Sequence, residues 1–496
     1  MLGPYRRDTG ARTRGTTRRR FLAALATGTT AAVAGCSLDA PDEEADDEDP
    51  PEEEEEEPAV PDSFDVDRDT LREYSRQFIE LLDEGEFETA AEWFPTALGV
   101  TNSDVEQVWT RAGGDDSSLE AITTVAVLGN NLGNDVFTVR ARLEDNDAEF
   151  TLVFSEQGLG EAIGQEIPEW TPPSYVDQDA IVEQEVTLET PIDCELGGTI
   201  TLPAEGEAVP GVVLVHGNGP QDRDSTTGPN RPFKELAWGL ASRGIAVLRY
   251  DKRTYTCNVD HSDATIDDIV TVDALTAIER LREHERVDSD DIVVSGSSFG
   301  GLLAPRIAER DGNLAGIMTL AGGPAGPFAD TIVRQQEHIY EQGGIPPSRR
   351  QQLLDMAREE ADKIRNLNID DDEVVRFGGR EYYRTLQEYD HTETARELDI
   401  PQLFLQGDMD YQVTVEDDFS VWRDALGDEP NTEFTLYEGL NHLFQESDGT
   451  MLPSEYVRPE NPVEQRVIED MTTFVRDATQ DSQQPVGVQP TVAVSP

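Results

Sequence analysis

The sequence predicts an α/β fold over residues 180–478, in which a mostly parallel sheet is flanked by helices. Short β-branched runs such as 211–216 alternate with segments such as 232–242, where apolar residues recur at helical spacing. This alternation is typical of parallel sheets with helical crossovers. Residues 323–398 interrupt the rhythm with a charged, largely helical stretch. We therefore expect a cap inserted into the sheet domain.

A glycine–serine turn at a strand-to-helix junction is the most informative motif. Residues 296–300 read Gly-Ser-Ser-Phe-Gly, between a buried-strand pattern and a helical one. A serine on so sharp a turn needs glycines on both sides, because side chains there would collide with the strand and helix. The turn would raise the Ser298 hydroxyl above the sheet and point the Phe299 N–H at the group attacked. We predict Ser298 as a nucleophile; an ordinary Gly/Ser loop is the alternative.

Chain order predicts the acid and the base. Asp410 follows a buried strand, with Asp408 as the alternative acid two residues away. His442 lies between the last predicted strand and the closing helix. The order Ser, Asp, His is that of nucleophile-elbow hydrolases. In the predicted triad, His442 takes the Ser298 proton and later activates water, and Asp410 fixes the tautomer of His442 and stabilises its imidazolium form.

Four other histidines are interpreted as structural or surface residues. His216 ends a predicted strand and is expected to brace the following loop. His284 lies on a charged helix, and His338 and His391 lie in the predicted cap, so we expect these three at the surface.

Several motifs together resemble a known family. They are residues 212–255 and the segments GSSFGG at 296–301, LQGDMDYQV at 405–413 and GLNHLF at 439–444. They are similar to a bacterial and archaeal family of exported α/β-hydrolases that carry a small N-terminal α+β domain. The resemblance covers most of residues 63–478 and implies an α/β-hydrolase fold and an esterase-like serine hydrolase. One departure is Ser297, where many relatives carry His; it leaves the triad intact.

The loop after strand 211–216 reads Gly-Asn-Gly-Pro. In the α/β-hydrolase arrangement this loop lies beside the elbow, so the resemblance implies that the Asn218 N–H joins the Phe299 N–H in an oxyanion hole. An ordinary Gly-Pro turn is the alternative.

Three residues of the same region are candidate substrate contacts. Gly217 and Gly219 flank the expected donor, and Arg223 could contact an anionic group of the substrate. A salt bridge between Arg223 and its acidic neighbours is an equally good interpretation.

The predicted activity is hydrolysis of carboxylic esters through an acyl-enzyme. A serine peptidase of the prolyl or aminopeptidase kind stays open, because such enzymes share this triad and carry helical caps. A thioesterase is a further alternative. A non-enzymatic binding lipoprotein is disfavoured by the intact triad order. Metal-ligand spacings and phosphate-binding glycine loops are absent from the sequence, so we expect no metal or other cofactor.

The charge balance is strongly acidic. The chain has 39 Lys+Arg against 102 Asp+Glu, a net charge of −63, and the acidic run at 42–57 accounts for only part of this. The lysines are Lys234, Lys252 and Lys363. Acid spread over whole domains resembles a halophile's proteome, where salt screens the self-repulsion. The sequence has no basic stripe for phosphates, which disfavours a nucleic-acid partner.

The N-terminus predicts export. Residues 1–36 contain Arg18-Arg19 before an apolar run, as in a twin-arginine signal, and end in a lipobox at Cys36. We expect a lipid on Cys36 to anchor the protein to the outer face of the cell membrane; an uncleaved N-terminal anchor is the alternative. Residues 37–62 are interpreted as an acidic tether, and residues 479–496 as a disordered tail.

Residues 63–168 predict a small α+β domain, nuclear-transport-factor-like or cystatin-like. The predicted helices are 71–82 and 87–94, and the predicted strands are 122–128, 136–143 and 149–154. We interpret Trp93 and Trp109 as core residues, since nothing catalytic accompanies them.

Fold topology suggests a disulfide. Cys194 precedes the second strand of the α/β-hydrolase domain and Cys257 follows the fourth. In this fold the second strand runs antiparallel beside the fourth, so both cysteines should lie at one sheet edge. An exported protein meets an oxidising compartment, so a bridge can form there. Two free buried thiols are the alternative.

Overall fold

The computed structural model describes residues 60–61, 63–115, 117–131, 134–191 and 194–480. The predicted signal segment, most of the tether and nearly all of the predicted tail lie outside these residues. In the described part of the chain, no helix is long and apolar enough to cross a membrane.

The N-terminal module combines three helices with a four-stranded sheet. The helices are α1 (Arg68–Asp83), α2 (Phe87–Ala91) and α3 (Asn102–Arg111), and the strands are β1 (Leu119–Asn131), β2 (Asn134–Leu143), β3 (Asp147–Ser155) and β4 (Gly158–Ile167). Neighbouring strands are antiparallel, in the order β1-β2-β3-β4. Trp93 and Trp109 are buried among the aromatic residues of this module, so their interpretation as core residues is confirmed.

Helix α3 and strand β4 had not been predicted from the sequence. Apart from three apolar residues, α3 is polar, and β4 contains three glycines and only two β-branched residues, so neither carries a clear periodic signal. Tertiary packing decides both, because α3 buries Val105 and Trp109 and β4 buries Leu159 in the same core.

The second sheet has eight strands in the order β12-β11-β10-β9-β7-β8-β6-β5. They are β5 (Ile181–Glu189), β6 (Glu195–Pro203), β7 (Val209–Val215), β8 (Ala246–Tyr250), β9 (Val287–Ser297), β10 (Gly316–Leu320), β11 (Gln402–Gly407) and β12 (Thr432–Tyr437). Strands β7 to β12 are parallel, whereas β5 and β6 form an antiparallel pair at one edge. The predicted mostly parallel sheet with an antiparallel opening pair is confirmed.

Helices cover both faces of this sheet. They are α4 (Pro232–Ala241), α5 (Arg253–Thr256), α6 (Val272–Arg282), α7 (Phe299–Asp311), α8 (Phe328–Gln342), α9 (Pro347–Asn366), α10 (Arg380–Glu388), α11 (His391–Arg396), α12 (Ser420–Leu426) and α13 (Gln465–Gln480). Val213 and Val215 of β7 pack on the side of α6 and α7, and Val212 and Leu214 pack on the side of α4 and α13. This alternation follows from the two-residue period of a strand. The cap comprises α8 to α11.

The parallel strands bring distant segments to one edge. Because parallel strands end at the same side of a sheet, the segments after β7, β8, β9, β11 and β12 meet there. Residues 217–220, Ser298, Asp410 and His442 all lie at this end of the sheet.

A disulfide lies beside the antiparallel strands β6 and β8. Gly198 of β6 lies opposite Tyr250 of β8, so the start of β6 and the end of β8 are neighbours. Cys194 and Cys257 are joined through their Sγ atoms, with Cα atoms 6.1 Å apart. The bridge ties the turn between β5 and β6 to the segment that follows β8.

We expect this bridge to stabilise the protein. It joins residues 63 positions apart, so its removal by Cys194→Ser with Cys257→Ser should cost about 4 kcal/mol of unfolding free energy on the chain-entropy account. Denaturant titrations in high salt would measure the cost, and reduced wild type should match the double variant. In a Cys36→Ser background the denatured, unreduced chain should show no free thiol; two thiols would contradict the bridge.

Candidate active site

The backbone of Ser298 is held in an uncommon conformation. Its φ is 53° and its ψ is −119°, at the junction between β9 and α7. Such a conformation costs a non-glycine residue about 1–3 kcal/mol and persists only where its surroundings enforce it. Here the Ser298 N–H donates to Leu320 O at 2.8 Å, and the Gly323 N–H donates to Ser298 O at 3.1 Å. The end of β10 therefore secures the turn.

The two glycines of the motif are required by close approach. A Cβ on Gly296 would lie 2.2 Å from Gly300 O, in the first turn of α7. A Cβ on Gly300 would lie 2.5 Å from the carbonyl oxygens of Val215 and His216. The collision with strand and helix that the sequence predicted is therefore present at both positions.

Asp410 and His442 form a buried hydrogen-bonded pair. His442 Nδ1 lies 2.6 Å from Asp410 Oδ2, and the two residues are 6% and 2% exposed. Asp410 Oδ1 accepts the backbone N–H groups of Gln412 at 2.8 Å and Val413 at 3.0 Å, and Oδ2 also accepts Gln406 Nε2 at 3.1 Å. A carboxylate bound to Nδ1–H leaves Nε2 of the imidazole free to take a proton.

Val413 connects the acid to the elbow. Its N–H binds Asp410, and its side chain packs so closely on Gly323 that a Cβ there would lie 2.8 Å from Val413 Cγ1. Gly323 in turn binds Ser298. Within the described residues no hydrogen bond joins Ser298 Oγ to the His442 ring, a contact that catalytic groups often complete only with substrate bound.

The alternative acid, Asp408, has a different partner. Its Oδ1 accepts the Gly439 N–H at 2.7 Å, which ties the loop after β11 to the loop after β12. This interaction positions the segment that leads to His442. The pairing with His442 belongs to Asp410.

Sequence reasoning missed the amide side chains that hold the pair. Gln406 links Asp410 to Val413 O at 2.9 Å, and Asn441 Oδ1 accepts the N–H groups of Leu443 at 3.0 Å and Gln445 at 3.1 Å. Both amides are about 1% exposed. One sequence signal could have indicated these two residues: Gln406 follows an apolar run close to Asp410, and Asn441 directly precedes His442.

The oxyanion loop, defined here as residues 217–220, lies against the elbow. A Cβ on Gly217 would lie 3.0 Å from Ser298 Cβ. Phe299 opens α7, so its N–H has no acceptor within the helix. Tyr382 of the cap donates its hydroxyl to Asn218 Oδ1 at 2.8 Å. The loop that contains the predicted donor Asn218 therefore lies beside Ser298, and the other predicted donor, Phe299, follows Ser298 directly.

His216 braces the end of β7. It is 1% exposed, its Nε2 lies 2.7 Å from Tyr250 O, and its ring stacks on Phe233 with 4.5 Å between centroids. Burial lowers the pKa of His216 to about 4, so the ring is neutral near pH 7. These contacts match its structural interpretation.

Arg223 is a correction to the candidate substrate contacts. Its Nη2 lies 2.7 Å from Asp251 Oδ2, its Nη1 pairs with Glu185, and Nη1 also donates to Gly198 O at 3.0 Å. The salt-bridge alternative therefore holds. The guanidinium binds the carboxylates of Glu185 in β5 and Asp251 just after β8, and it donates to the carbonyl oxygen of Gly198 in β6. Gly217 and Gly219 remain in the loop beside the elbow.

The N-terminal module contacts the segment that follows the oxyanion loop. Arg140 of β2 pairs with Glu149 of its own sheet at 2.9 Å and with Asp222, and it donates to Thr226 O at 3.1 Å. Burial alone would raise the pKa of Asp222, but the charge of Arg140 and the hydrogen bonds from Thr226 and Arg140 together hold that pKa below its ordinary value. The ionised pair ties the module to the site.

The cap histidines are a second correction. His338 stacks on Tyr411 with centroids 5.2 Å apart, and His391 contacts Trp422 edge-on at 4.6 Å. Both rings are partly buried, so the expected surface positions of these two histidines were wrong, whereas His284 lies at the surface, with its Nε2 3.1 Å from Gln184 Oε1. Tyr411 follows Asp410 directly, and this contact seats α8 on the acid loop.

A cavity of about 420 Å³ lies between the cap and α7. Its lining includes Leu302, Ala325, Phe328, Ile364, Tyr389 and His391. None of the triad residues lines this cavity.

This chain is similar to known hydrolases. Residues 212–451 match the alpha/beta hydrolase family. Esterase EstD of Thermotoga maritima is 36% identical over 307 residues, which are 62% of this chain and 70% of the relative. Est1E from Butyrivibrio proteoclasticus is 17% identical, with a TM-score of 0.39, over 60% of this chain and 99% of that chain. An esterase of Pyrococcus furiosus is 15% identical, with a TM-score of 0.37, over 63% of this chain and 98% of that chain. By the first two matches, this chain is an esterase-like member of the alpha/beta hydrolase family.

Proposed function

We propose that this chain is an extracytoplasmic serine hydrolase that cleaves carboxylic esters through an acyl-enzyme. The observation that carries the proposal is the buried 2.6 Å pair of Asp410 and His442, at the sheet edge where the strained Ser298 turn lies. The similarity to esterase EstD supports an ester as the substrate class.

In the first half of the reaction, Ser298 Oγ attacks the ester carbonyl carbon while His442 Nε2 takes the hydroxyl proton. The N–H groups of Phe299 and Asn218 bind the negative oxygen that forms, and Asp410 stabilises the imidazolium. The tetrahedral intermediate collapses, the carbon–oxygen bond to the alcohol breaks, and His442 gives its proton to the alcohol. The acyl group is left on Ser298.

In the second half, water attacks the acyl-enzyme. His442 Nε2 takes a proton from the water, and the same N–H groups bind the second oxyanion. Collapse breaks the bond to Ser298 Oγ, which recovers its proton from His442, and the carboxylic acid leaves.

The proposed location rests on the N-terminal motif and the charge. The twin-arginine pattern and the lipobox at Cys36 favour export and lipid anchoring. The net charge of −63, with three lysines among 39 basic residues, favours function in high salt.

The first test is substrate and nucleophile. The mature protein in high salt should hydrolyse p-nitrophenyl esters, and a fluorophosphonate should label it. Ser298→Ala should abolish labelling and lower kcat by about 10⁴-fold or more, because a triad acts as a unit. Ser297→Ala is the matched control and should retain both. Labelling that survives Ser298→Ala would refute the nucleophile, and turnover of aminoacyl-anilides without esters would replace the esterase with a peptidase.

The second test ranks the two acids. Asp410→Asn should lower kcat by about 10⁴-fold, because His442 loses the carboxylate that sets its tautomer. Asp408→Asn should be much milder, since that side chain binds only the Gly439 N–H among the described residues. Steady-state kinetics on one ester would compare them, and the reverse ranking would contradict the assignment.

The third test is location. Cys36→Ser should release active protein into the medium, and Arg18→Lys with Arg19→Lys should retain it in the cell. One acyl chain holds a protein only weakly, so we expect a two-chain lipid. Fractionation of the producing cells would measure both outcomes. Unchanged membrane association of Cys36→Ser would indicate an uncleaved anchor.

A further inference from the structure

We propose that Lys252 is a positioning residue for the oxyanion hole, through the peptide unit that joins Gly217 to Asn218. Its ammonium group orients and polarises this unit, whose N–H is the proposed Asn218 donor. The inference rests on the proposed function, because it requires an oxyanion at Ser298.

Both the side chain and the main chain of Lys252 hold the loop. Its Nζ lies 2.5 Å from Gly217 O and 3.1 Å from Gly219 O. Its backbone N–H donates to Gln221 O at 3.0 Å. Thr254, two residues on, donates to Gly219 O at 3.3 Å. The segment after β8 therefore binds two carbonyl groups of the oxyanion loop, those of Gly217 and Gly219, and the carbonyl group of Gln221 just beyond it.

The ammonium group is buried without a carboxylate partner. Lys252 is 3% exposed, and within the described residues no carboxylate lies within 4.0 Å of its Nζ. The nearby acid, Asp273, is engaged bidentately by Arg253 at 2.7 and 2.5 Å. A buried cation with only carbonyl partners interacts with them strongly, because little water screens the charge.

The chemistry follows from the geometry of a peptide bond. Gly217 O and the Asn218 N–H belong to one planar, conjugated unit. A cation that binds the oxygen draws electron density from the nitrogen, so the N–H becomes a stronger donor. The same contact fixes the plane of the unit. The benefit is largest when the substrate oxygen is negative, so it should appear in kcat more than in KM.

The residue type agrees with this role. Arginine supplies 36 of the 39 basic residues, since Lys234, Lys252 and Lys363 are the only lysines. A compact ammonium fits between two carbonyl groups of a tight loop, whereas a planar guanidinium is wider and binds as a fork. Lysine therefore occurs at this position although the chain strongly prefers arginine as its basic residue.

Titration gives the role a distinct signature. Burial lowers the pKa of Lys252 to about 7, and Asp273 acts in the opposite sense. The titratable and charged groups around it are Asp273 of α6, His216 after β7, His261 after α5, Arg68 of α1 and Arg376 of the cap. Activity should therefore fall as the pH rises through about 7, because Lys252 then loses its charge.

The experiment compares Lys252→Met and Lys252→Arg with Lys363→Met, which removes a half-exposed lysine of the cap. With a p-nitrophenyl ester in high salt, Lys252→Met should lower kcat by between about 10- and 100-fold with little change in KM. It should also lose the alkaline fall in kcat. Lys252→Arg should recover little activity, whereas Lys363→Met should behave as wild type. Thermal melts would verify folding.

The outcomes separate this inference from the proposed function. A folded Lys252→Met with wild-type kcat and an unchanged alkaline fall overturns the inference while esterase activity and its dependence on Ser298 stand. Wild type that hydrolyses no ester overturns both. If Lys252→Met fails to fold, the wild-type profile decides: an alkaline fall that persists in Lys363→Met supports the inference, and its absence in wild type contradicts it.

Discussion

The left-handed backbone of Ser298, at φ 53°, is the constraint on which the rest of the site depends. The turn can be this sharp only because Gly296 and Gly300 allow α7 to approach β9 and β7. It is held by hydrogen bonds to Leu320 and Gly323, at the end of the neighbouring strand. The strain is thus compensated by the parallel sheet, which explains why the proposed nucleophile lies at a strand end.

The oxyanion loop is held from three sides by parts of the chain that are far apart in sequence. Lys252 contacts it from the end of β8, Tyr382 contacts it from the cap, and Arg140 of the N-terminal module pairs with Asp222 just beyond it. The Arg140–Asp222 pair connects the N-terminal module to the segment that follows this loop. In so acidic a chain, each contact that fixes the loop pairs a cation or hydroxyl with a carbonyl, amide or carboxylate oxygen.

The mostly parallel sheet with its antiparallel opening pair could be predicted because strand and helix periodicity are local signals, and the order of Ser298, Asp410 and His442 along the chain pointed to one end of that sheet. The supporting contacts could not. Gln406 and Lys252 act through hydrogen bonds whose partners are set by the tertiary fold, and the two interpretations of Arg223 were equal until its carboxylate partners were placed. The disulfide could be predicted because fold topology alone brings its two cysteines together. Helix α3 and strand β4 lacked a periodic pattern and depended on the core that they complete.

The central claim is that Ser298 carries the acyl group during turnover. Its most direct test is to quench the wild-type protein with acid while it hydrolyses a p-nitrophenyl ester in high salt, and to map the acylated peptide by mass spectrometry. The account predicts one added acyl group on Ser298 of the wild-type protein and no added acyl group on Ser298→Ala. An acyl group on another residue, or burst kinetics unchanged by Ser298→Ala, would contradict it.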